Sequence, residues 1–284
     1  MNKVAITGAS GFIGAKLCEY YANRNWQVIP LSRKSNYQLA GEFPVDSIKG
    51  CHLIIHCAHD RSSKFESIED DVNFVGVKRL LQAADQLGIQ QIVYLSSMSA
   101  HDKAQSRYGV IKHKIENLFK EANYEDRHLV VKPGLVLGDG GLFKDIHKFI
   151  ISHQMVPLIN GGTQPVQTIA VEELLKAIFE LAEKKISGQF ILAEDPGPHL
   201  RDLYQEISRL AQSNNRFIPV PFFAAHLAIK ISKLVGIELP VDEENLLGLS
   251  QLKSFSTDPA KAYLSFHIAD YKTSLKRLLS TEQG

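Results

Sequence analysis

The sequence predicts an α/β fold: a doubly wound parallel sheet with helices on both faces and a small, mainly helical C-terminal lobe. Three observations carry that expectation. Short apolar runs alternate with segments of helical period from residue 3 to residue 193, the pattern of repeated strand–helix units. The first run, Val4-Ala5-Ile6, breaks into a turn with glycines at 8, 11 and 14, and a helix starts at once. From residue 194 the spacing becomes mostly helical. The expected division is therefore 1–193 for the sheet, with a loop excursion near 155–166 to the lobe, and 194–284 for the lobe and a closing helix.

The opening turn bears on chemistry. After it, Ile13, Leu17, Tyr20 and Tyr21 recur at helical spacing. A helix N-terminus presents unpaired N–H groups and a partial positive charge, and glycine lets the backbone approach a pyrophosphate. The spacing is Gly-x-x-Gly-x-x-Gly, not the Gly-x-Gly-x-x-Gly of the common dinucleotide fingerprint. A loop that only turns the chain could carry the same glycines. The flanking strand and helix are what favour the phosphate cradle.

Gln27–Leu31 reads as a second strand, ending in Ser32-Arg33-Lys34. In a dinucleotide fold an acid about 20 residues beyond the glycines binds the adenine ribose hydroxyls and selects NAD. Here Arg33 and Lys34 stand instead, offering charge to a 2′-phosphate and favouring NADP, with NAD the alternative. Residues 35–50 are polar, with Gly41, Pro44 and Gly50, and too cramped for a full strand and helix. Leu53 to Ala58 is a continuous apolar strand buried on both faces. His56, Cys57 and His59 invite a metal reading, but 56 and 57 point to opposite faces of a strand and no second ligand cluster follows. No metal site is predicted.

Residues 72–87 form a helix by spacing, stopped by Gly88, and Gln91–Leu95 is a strand ending in Ser96-Ser97-Met98-Ser99. Tyr108 opens the next helix, and Tyr108 and Lys112, four apart, share one of its faces. A lysine ammonium there is expected to stabilise the tyrosine phenolate and lower its pKa. A serine at the tip of the preceding strand could hold a substrate oxygen beside it. Serine, tyrosine and lysine together make a proton relay for carbonyl–alcohol interconversion. Tyr-x-x-x-Lys is common by itself; its place behind a glycine turn and a serine-tipped strand gives it meaning. Leu129–Val131 is a strand leading into the loop Pro133–Gly141, at a carboxyl end where open α/β sheets bind ligands. A helix over 171–183 and a strand over 189–193 follow. The lobe reads as a helix over 200–212, a strand over 217–220, helices near 222–235 and 243–252, and a last helix near 270–280.

The bulk composition narrows the classes. The 284 residues are 44% hydrophobic and 22% charged, as in ordinary globular proteins, and suit one domain with a lobe. A net charge of +1 gives no field to recruit nucleic acid, and no basic face or aromatic stacking motif appears. Cys18, Cys51 and Cys57 cannot all pair and read as reduced packing residues of a cytoplasmic protein. The first strand leaves no room for a leader peptide. The longest apolar stretch, 222–237, is interrupted by His226, Lys230 and Lys233, so it reads as a packed helix rather than a span.

Taken in order, these motifs resemble the short-chain dehydrogenase/reductase superfamily, on its extended, nucleotide-sugar epimerase/dehydratase-like side, with a Rossmann-like sheet. The resemblance rests on Thr7-Gly8-Ala9-Ser10-Gly11-Phe12-Ile13-Gly14, His56-Cys57-Ala58, Asn73 with Gly76, Ser96-Ser97, Tyr108 with Lys112, and Lys132-Pro133-Gly134 with Gly138. It continues through 165–178 and Thr257-Asp258-Pro259. It implies Tyr108 as acid/base, Lys112 as the residue that holds the nicotinamide ribose and tunes Tyr108, and Ser97 as the binder of the reacting oxygen. Gly8, Ser10, Gly11, Phe12, Ile13 and Gly14 would seat the pyrophosphate. Cys57, Ala58 and Pro133 would complete the cofactor site with Arg33, and Asn73 would tie helix to strand. The implied substrate is a small molecule, most readily a nucleotide-activated sugar, and the implied assembly a homodimer through helices 72–87 and 108–122. Two departures stand out: the interval from Ser97 to Tyr108 and the segment 35–50 are both short. They resemble atypical members, some of which keep a cofactor without catalysis and stabilise a larger assembly.

Overall fold

The computed structural model describes residues 1–35, 37–63, 67–121, 126–234 and 243–280. The C-terminal ends expected for the helices over 108–122 and 222–235, and the end of the 222–237 stretch, lie outside the described residues.

Apolar runs too short for helices become the strands of one six-stranded sheet: β1 (Lys3–Thr7), β2 (Gln27–Leu31), β3 (Leu53–His56), β4 (Gln91–Leu95), β5 (His128–Pro133) and, late in the chain, a strand over Gly188–Leu192. The spatial order is β2-β1-β3-β4-β5 and then that last strand, with every neighbouring pair parallel. Among the described residues between β2 and β3 stand two short 3-10 turns, Arg33–Ser35 and Val45–Ile48. The cramped segment therefore leaves β2 as an edge strand, where Pro30, lacking an N–H, is tolerated.

Because parallel strands bury both faces, alternate residues feed two cores. Val4, Ile6, Leu53, Ile55, Val93 and Leu95 pack under α1 (Phe12–Ala22) and a helix over Val171–Glu183. Ala5, Ile54, Ile92, Tyr94 and Val130 pack under α2 (Val72–Gln86) and α3 (Arg107–Glu121). Asp71 caps α2, accepting from the N–H groups of Asn73 at 2.8 Å and Phe74 at 3.4 Å.

The segment after β5 departs from a plain loop. β6 (Leu135–Leu137) is followed by α4 (Gly141–Ser152) and β7 (Met155–Ile159), then β8 (Thr168–Ala170), α5 (the helix over 171–183) and β9 (the strand over 188–192). β6 pairs with β8. After β9 follow α6 (Leu200–Leu210), β10 (Arg216–Val220), α7 (Phe222–Leu234), α8 (Glu243–Ser250), α9 (Asp258–Lys261), whose Ala260 packs in the main-sheet core, and α10 (Tyr271–Ser280). β10 pairs in parallel with β7, so the stretch 155–159 leaves the main sheet. Phe143, Ile150, Val156, Leu203, Ile207 and Leu275 form the core here. Among the described residues no helix is long and apolar enough to cross a membrane.

Candidate active site

The chain leaves β1 for β2 on one side and returns to place β3 on the other, which opens a crevice beyond the carboxyl ends of β1 and β3. Thr7 and His56 face each other there, with Thr7 Oγ1 2.8 Å from His56 Nδ1 and accepting from the Ala58 N–H at 3.2 Å. Burial holds the His56 pKa down near 3, so the ring is neutral.

The glycine turn closes tightly over this point. Gly8 has φ +68°, and a Cβ on it would fall 2.8 Å from the Ala58 nitrogen. The Gly11 N–H donates to Gly8 C=O at 2.8 Å, and a Cβ on Gly14 would overlap that same carbonyl. Gly11 is the N-cap of α1 and offers no side-chain acceptor, so the first N–H groups of the helix, at Phe12 and Ile13, keep their donors for a ligand. Ser10 is exposed beside them, and Cys57 and Ala58 flank Gly8. The Phe12 ring turns away under Gly138 and Gly140, and Lys16, one turn on, pairs with Asp139 at 2.9 Å.

Ser97, Tyr108 and Lys112 come together on the β4–α3 side. Tyr108 is half-buried, and the His59 ring stands edge-on to it with centroids 4.9 Å apart. Lys112 is buried, donates to Leu95 C=O at 2.7 Å and lies over the rings of Tyr94 (4.7 Å) and Tyr108 (5.8 Å). Burial lowers the Lys112 pKa to about 8. Among the described residues Leu95 is its one hydrogen-bond acceptor, so two ammonium donors remain for a ligand.

The expectation that Lys112 depresses the Tyr108 pKa needs correction. Burial raises the phenol above its ordinary value; hydrogen bonding from Ser97 opposes this first, and the Arg61 charge second. The spacing of Tyr108 and Lys112 gave the shared face correctly, but the cost of burying the phenol outweighs the neighbouring charges.

Arg61 was missed by sequence reasoning. It is exposed, follows β3 by five residues, and its charge also lowers the pKa values of His59 and Lys112. Its loop is fixed: the Asp60 N–H donates to Asn73 Oδ1 at 2.6 Å, and Asn73 Nδ2 donates back to Asp60 C=O at 3.0 Å. Asn73 thus ties α2 to the loop after β3, whereas the resemblance implied a tie to the strand itself. Arg33 is exposed at the end of β2, its charge acting on Asp60. Pro133 ends β5, half-buried and paired with Leu192.

Burial raises the Cys18 thiol to about 11 and Cys57 to about 12, so both stay protonated and unreactive. Among the described residues no three His, Cys, Asp or Glu side chains gather as metal ligands.

The NAD dependent epimerase/dehydratase family profile matches residues 4–192, about two-thirds of the chain and all of the main sheet but Lys3. The chain belongs to that family. Across the family match lie every element of the crevice, from the Gly8 turn to Pro133. Among curated relatives, the chain is 23% identical over 280 residues to "NADH dehydrogenase [ubiquinone] 1 alpha subcomplex subunit 9, mitochondrial" of Arabidopsis thaliana, covering 89% of this chain and 69% of that one. Among solved structures, a dTDP-4-dehydrorhamnose reductase from Clostridium acetobutylicum superposes with TM-score 0.76 at 19% identity, over 99% of this chain and 100% of the other. A UDP-N-acetylglucosamine 4-epimerase from Bacillus cereus gives 0.73 at 17% identity, over 100% of both. At these identities the two structures share the epimerase/dehydratase fold with this chain. The residues that line the crevice suit the family's dinucleotide: a glycine cradle that a Cβ would fill, an uncapped helix N-terminus and a buried ammonium with donors to spare.

Proposed function

We propose that the protein is an NAD(P)-dependent oxidoreductase or epimerase acting at a hydroxyl or carbonyl carbon, most readily of a nucleotide-activated sugar, with Tyr108 as its acid/base. The observation that carries this reading is the gathering of Ser97, Tyr108 and Lys112 beside the crevice, with Lys112 buried and only partly satisfied.

A nicotinamide dinucleotide bound there supplies or accepts the hydride. The turn of Gly8, Ser10, Gly11 and Gly14 would let its pyrophosphate approach the backbone N–H groups of Phe12 and Ile13, Arg33 would meet a 2′-phosphate, and Lys112 would donate to the ribose hydroxyls. Cys57, Ala58 and Pro133 wall the slot. Ser97 donates to the substrate oxygen and fixes its place. In the reducing direction Tyr108 gives its phenolic proton to that oxygen as the carbonyl becomes an alcohol; in the oxidising direction it takes the proton back. A raised pKa keeps Tyr108 a protonated phenol in the free site, so the proton needed in the reducing direction is in place, while the oxidising direction first requires its loss. We assign 1–193 to the cofactor and 194–284 to the substrate.

The nucleotide-sugar class is drawn from the named functions of structures with this fold, and a smaller keto substrate suits the short Ser97–Tyr108 interval as well. A second reading, a catalytically silent dinucleotide-binding module of a larger assembly, is favoured by one finding: the relative matched over most of the chain is named as a subunit of NADH dehydrogenase. Consumption of NADPH against a panel of keto-sugar nucleotides and small ketones, with Tyr108→Phe as control, separates them. Turnover that Tyr108→Phe abolishes, with cofactor still bound, supports the enzyme. Cofactor binding without turnover of any of the panel supports the module.

A further inference from the structure

Tyr108, Lys112 and Glu116 follow one another at four-residue spacing along α3, and Glu116 is buried. One turn beyond Lys112, the carboxylate of Glu116 is 1% exposed, accepts from the Ser96 hydroxyl at 2.5 Å and pairs with Lys132 Nζ at 3.1 Å. Lys132, on β5 and also buried, donates in addition to Ala100 C=O at 2.5 Å. Ser96 and Ala100 are the two ends of the turn that contains Ser97. Inside it the Ala100 N–H donates to Ser97 C=O at 3.0 Å, and the Ser99 N–H donates to Ser97 Oγ at 3.1 Å. On the outer side His113 lies 3.6 Å from Glu116 Oε2 and 3.0 Å from Asp102.

Each end of a five-residue turn is therefore gripped by one member of a buried ion pair, and the members come from different elements. Such a pair is a poor investment in stability, because desolvating both charges offsets most of their attraction, and apolar residues of similar volume often serve as well. What apolar residues could not do is reach the Ser96 hydroxyl and the Ala100 carbonyl.

We propose that the Glu116–Lys132 pair positions Ser97, clamping the Ser96–Ala100 turn to α3 and β5 and so setting the Ser97 hydroxyl against the Tyr108 phenol. The inference rests on the reading of Ser97 and Tyr108 as the active site. Glu116 and Lys132 are positioning residues and touch no substrate.

The test uses the full chain with Glu116→Met and Lys132→Met combined, which removes both charges together. Three readouts are taken: NADPH affinity by fluorescence, kcat and KM on the carbonyl substrate found with the wild type, and the Tyr108 ring carbon followed against pH by NMR with 13C-labelled tyrosine. The Tyr108 resonance is assigned by its loss in Tyr108→Phe. The expected result is NADPH affinity within about twofold of wild type, KM little changed, and kcat lower by about 10- to 100-fold, the scale of a misplacement of about 1 Å. The Tyr108 titration moves upward as the Ser97 bond is lost. Wild-type kcat together with an unmoved Tyr108 titration overturns the proposal. If the apolar pair fails to fold, Ser96→Ala, which deletes one grip and leaves the ion pair, is read by the same measurements: a Tyr108 titration shifted upward supports the clamp, and an unmoved one overturns it. If Tyr108→Phe proves to have no effect on turnover, the active-site reading fails separately. The Tyr108 resonance still decides whether the clamp sets the Ser97–Tyr108 contact.

Discussion

Replacing Lys112 by methionine is expected to stabilise the ligand-free protein while weakening cofactor binding. The Lys112 ammonium is held at a pKa of about 8 against an ordinary 10.5, chiefly by burial. At about 1.36 kcal/mol for each pH unit, that displacement corresponds to roughly 3 kcal/mol of penalty for keeping the charge inside. Methionine removes the penalty but leaves the Leu95 carbonyl without its donor at 2.7 Å, a loss of about 1–2 kcal/mol. The net gain is about 1–2 kcal/mol, a rise in melting temperature of a few degrees for a protein of this size. The sign with pH follows from linkage. Between about pH 8 and 10.5 the unfolded chain binds more protons at this lysine than the folded one, so wild-type stability gains with rising pH across that window. Below pH 8 the penalty is fully present; above 10.5 it is gone. Thermal denaturation of both proteins at pH 7 and pH 10 should show the methionine advantage at pH 7 and its loss at pH 10. A variant less stable than wild type at pH 7, or an advantage independent of pH, would refute the reasoning.

Tyr108→Phe should lower kcat by about 10²- to 10⁴-fold while NADPH affinity stays within about twofold, as steady-state kinetics and fluorescence titration would show. Arg33→Ala should weaken NADPH about tenfold and leave NADH unchanged if the guanidinium meets a 2′-phosphate, since one charged hydrogen bond is worth about 1.5–3 kcal/mol; equal losses for both cofactors would assign Arg33 to the shared part of the ligand. Gly14→Ala should abolish binding of both, because the added Cβ has no room beside Gly8 C=O, and circular dichroism near wild type would confirm that only the cradle moved. If α2 and α3 pair between two copies, light scattering at micromolar concentration reads a mass near twice the 31.7 kDa of the chain; a monomer counts against that pairing.

Much of the fold was legible because parallel strands buried on both faces leave unbroken apolar runs, as in Leu53–His56, which is buried throughout. The lost strand unit at 35–50 was legible from length alone. α4 is hard to read from the sequence: Phe143, Ile146 and Ile150 recur at helical spacing, but Gly138, Gly140 and Gly141 directly before and at its start carry the signal of a loop. β7 pairs with β10 across roughly sixty residues, and Pro157 in its middle weakens any local strand signal. In the site, spacing placed Tyr108 and Lys112 on one face, but it could not reveal which charges burial would oppose. Lys132 held a readable clue. A lysine directly after Leu129–Val131, in a strand of a buried sheet, demands a partner inside the protein. That partner, Glu116, comes from another element and appears only once α3 packs against β5.

The most direct measurement is a titration of the wild-type protein with NADPH and with NADH, followed by nicotinamide fluorescence. The account predicts saturable binding of at least one of the two at micromolar concentration, tighter for NADPH, and competition by the matching oxidised cofactor. Binding of neither would contradict it, leaving the Gly8–Gly14 turn a structural turn and the Ser97, Tyr108 and Lys112 cluster without a redox partner.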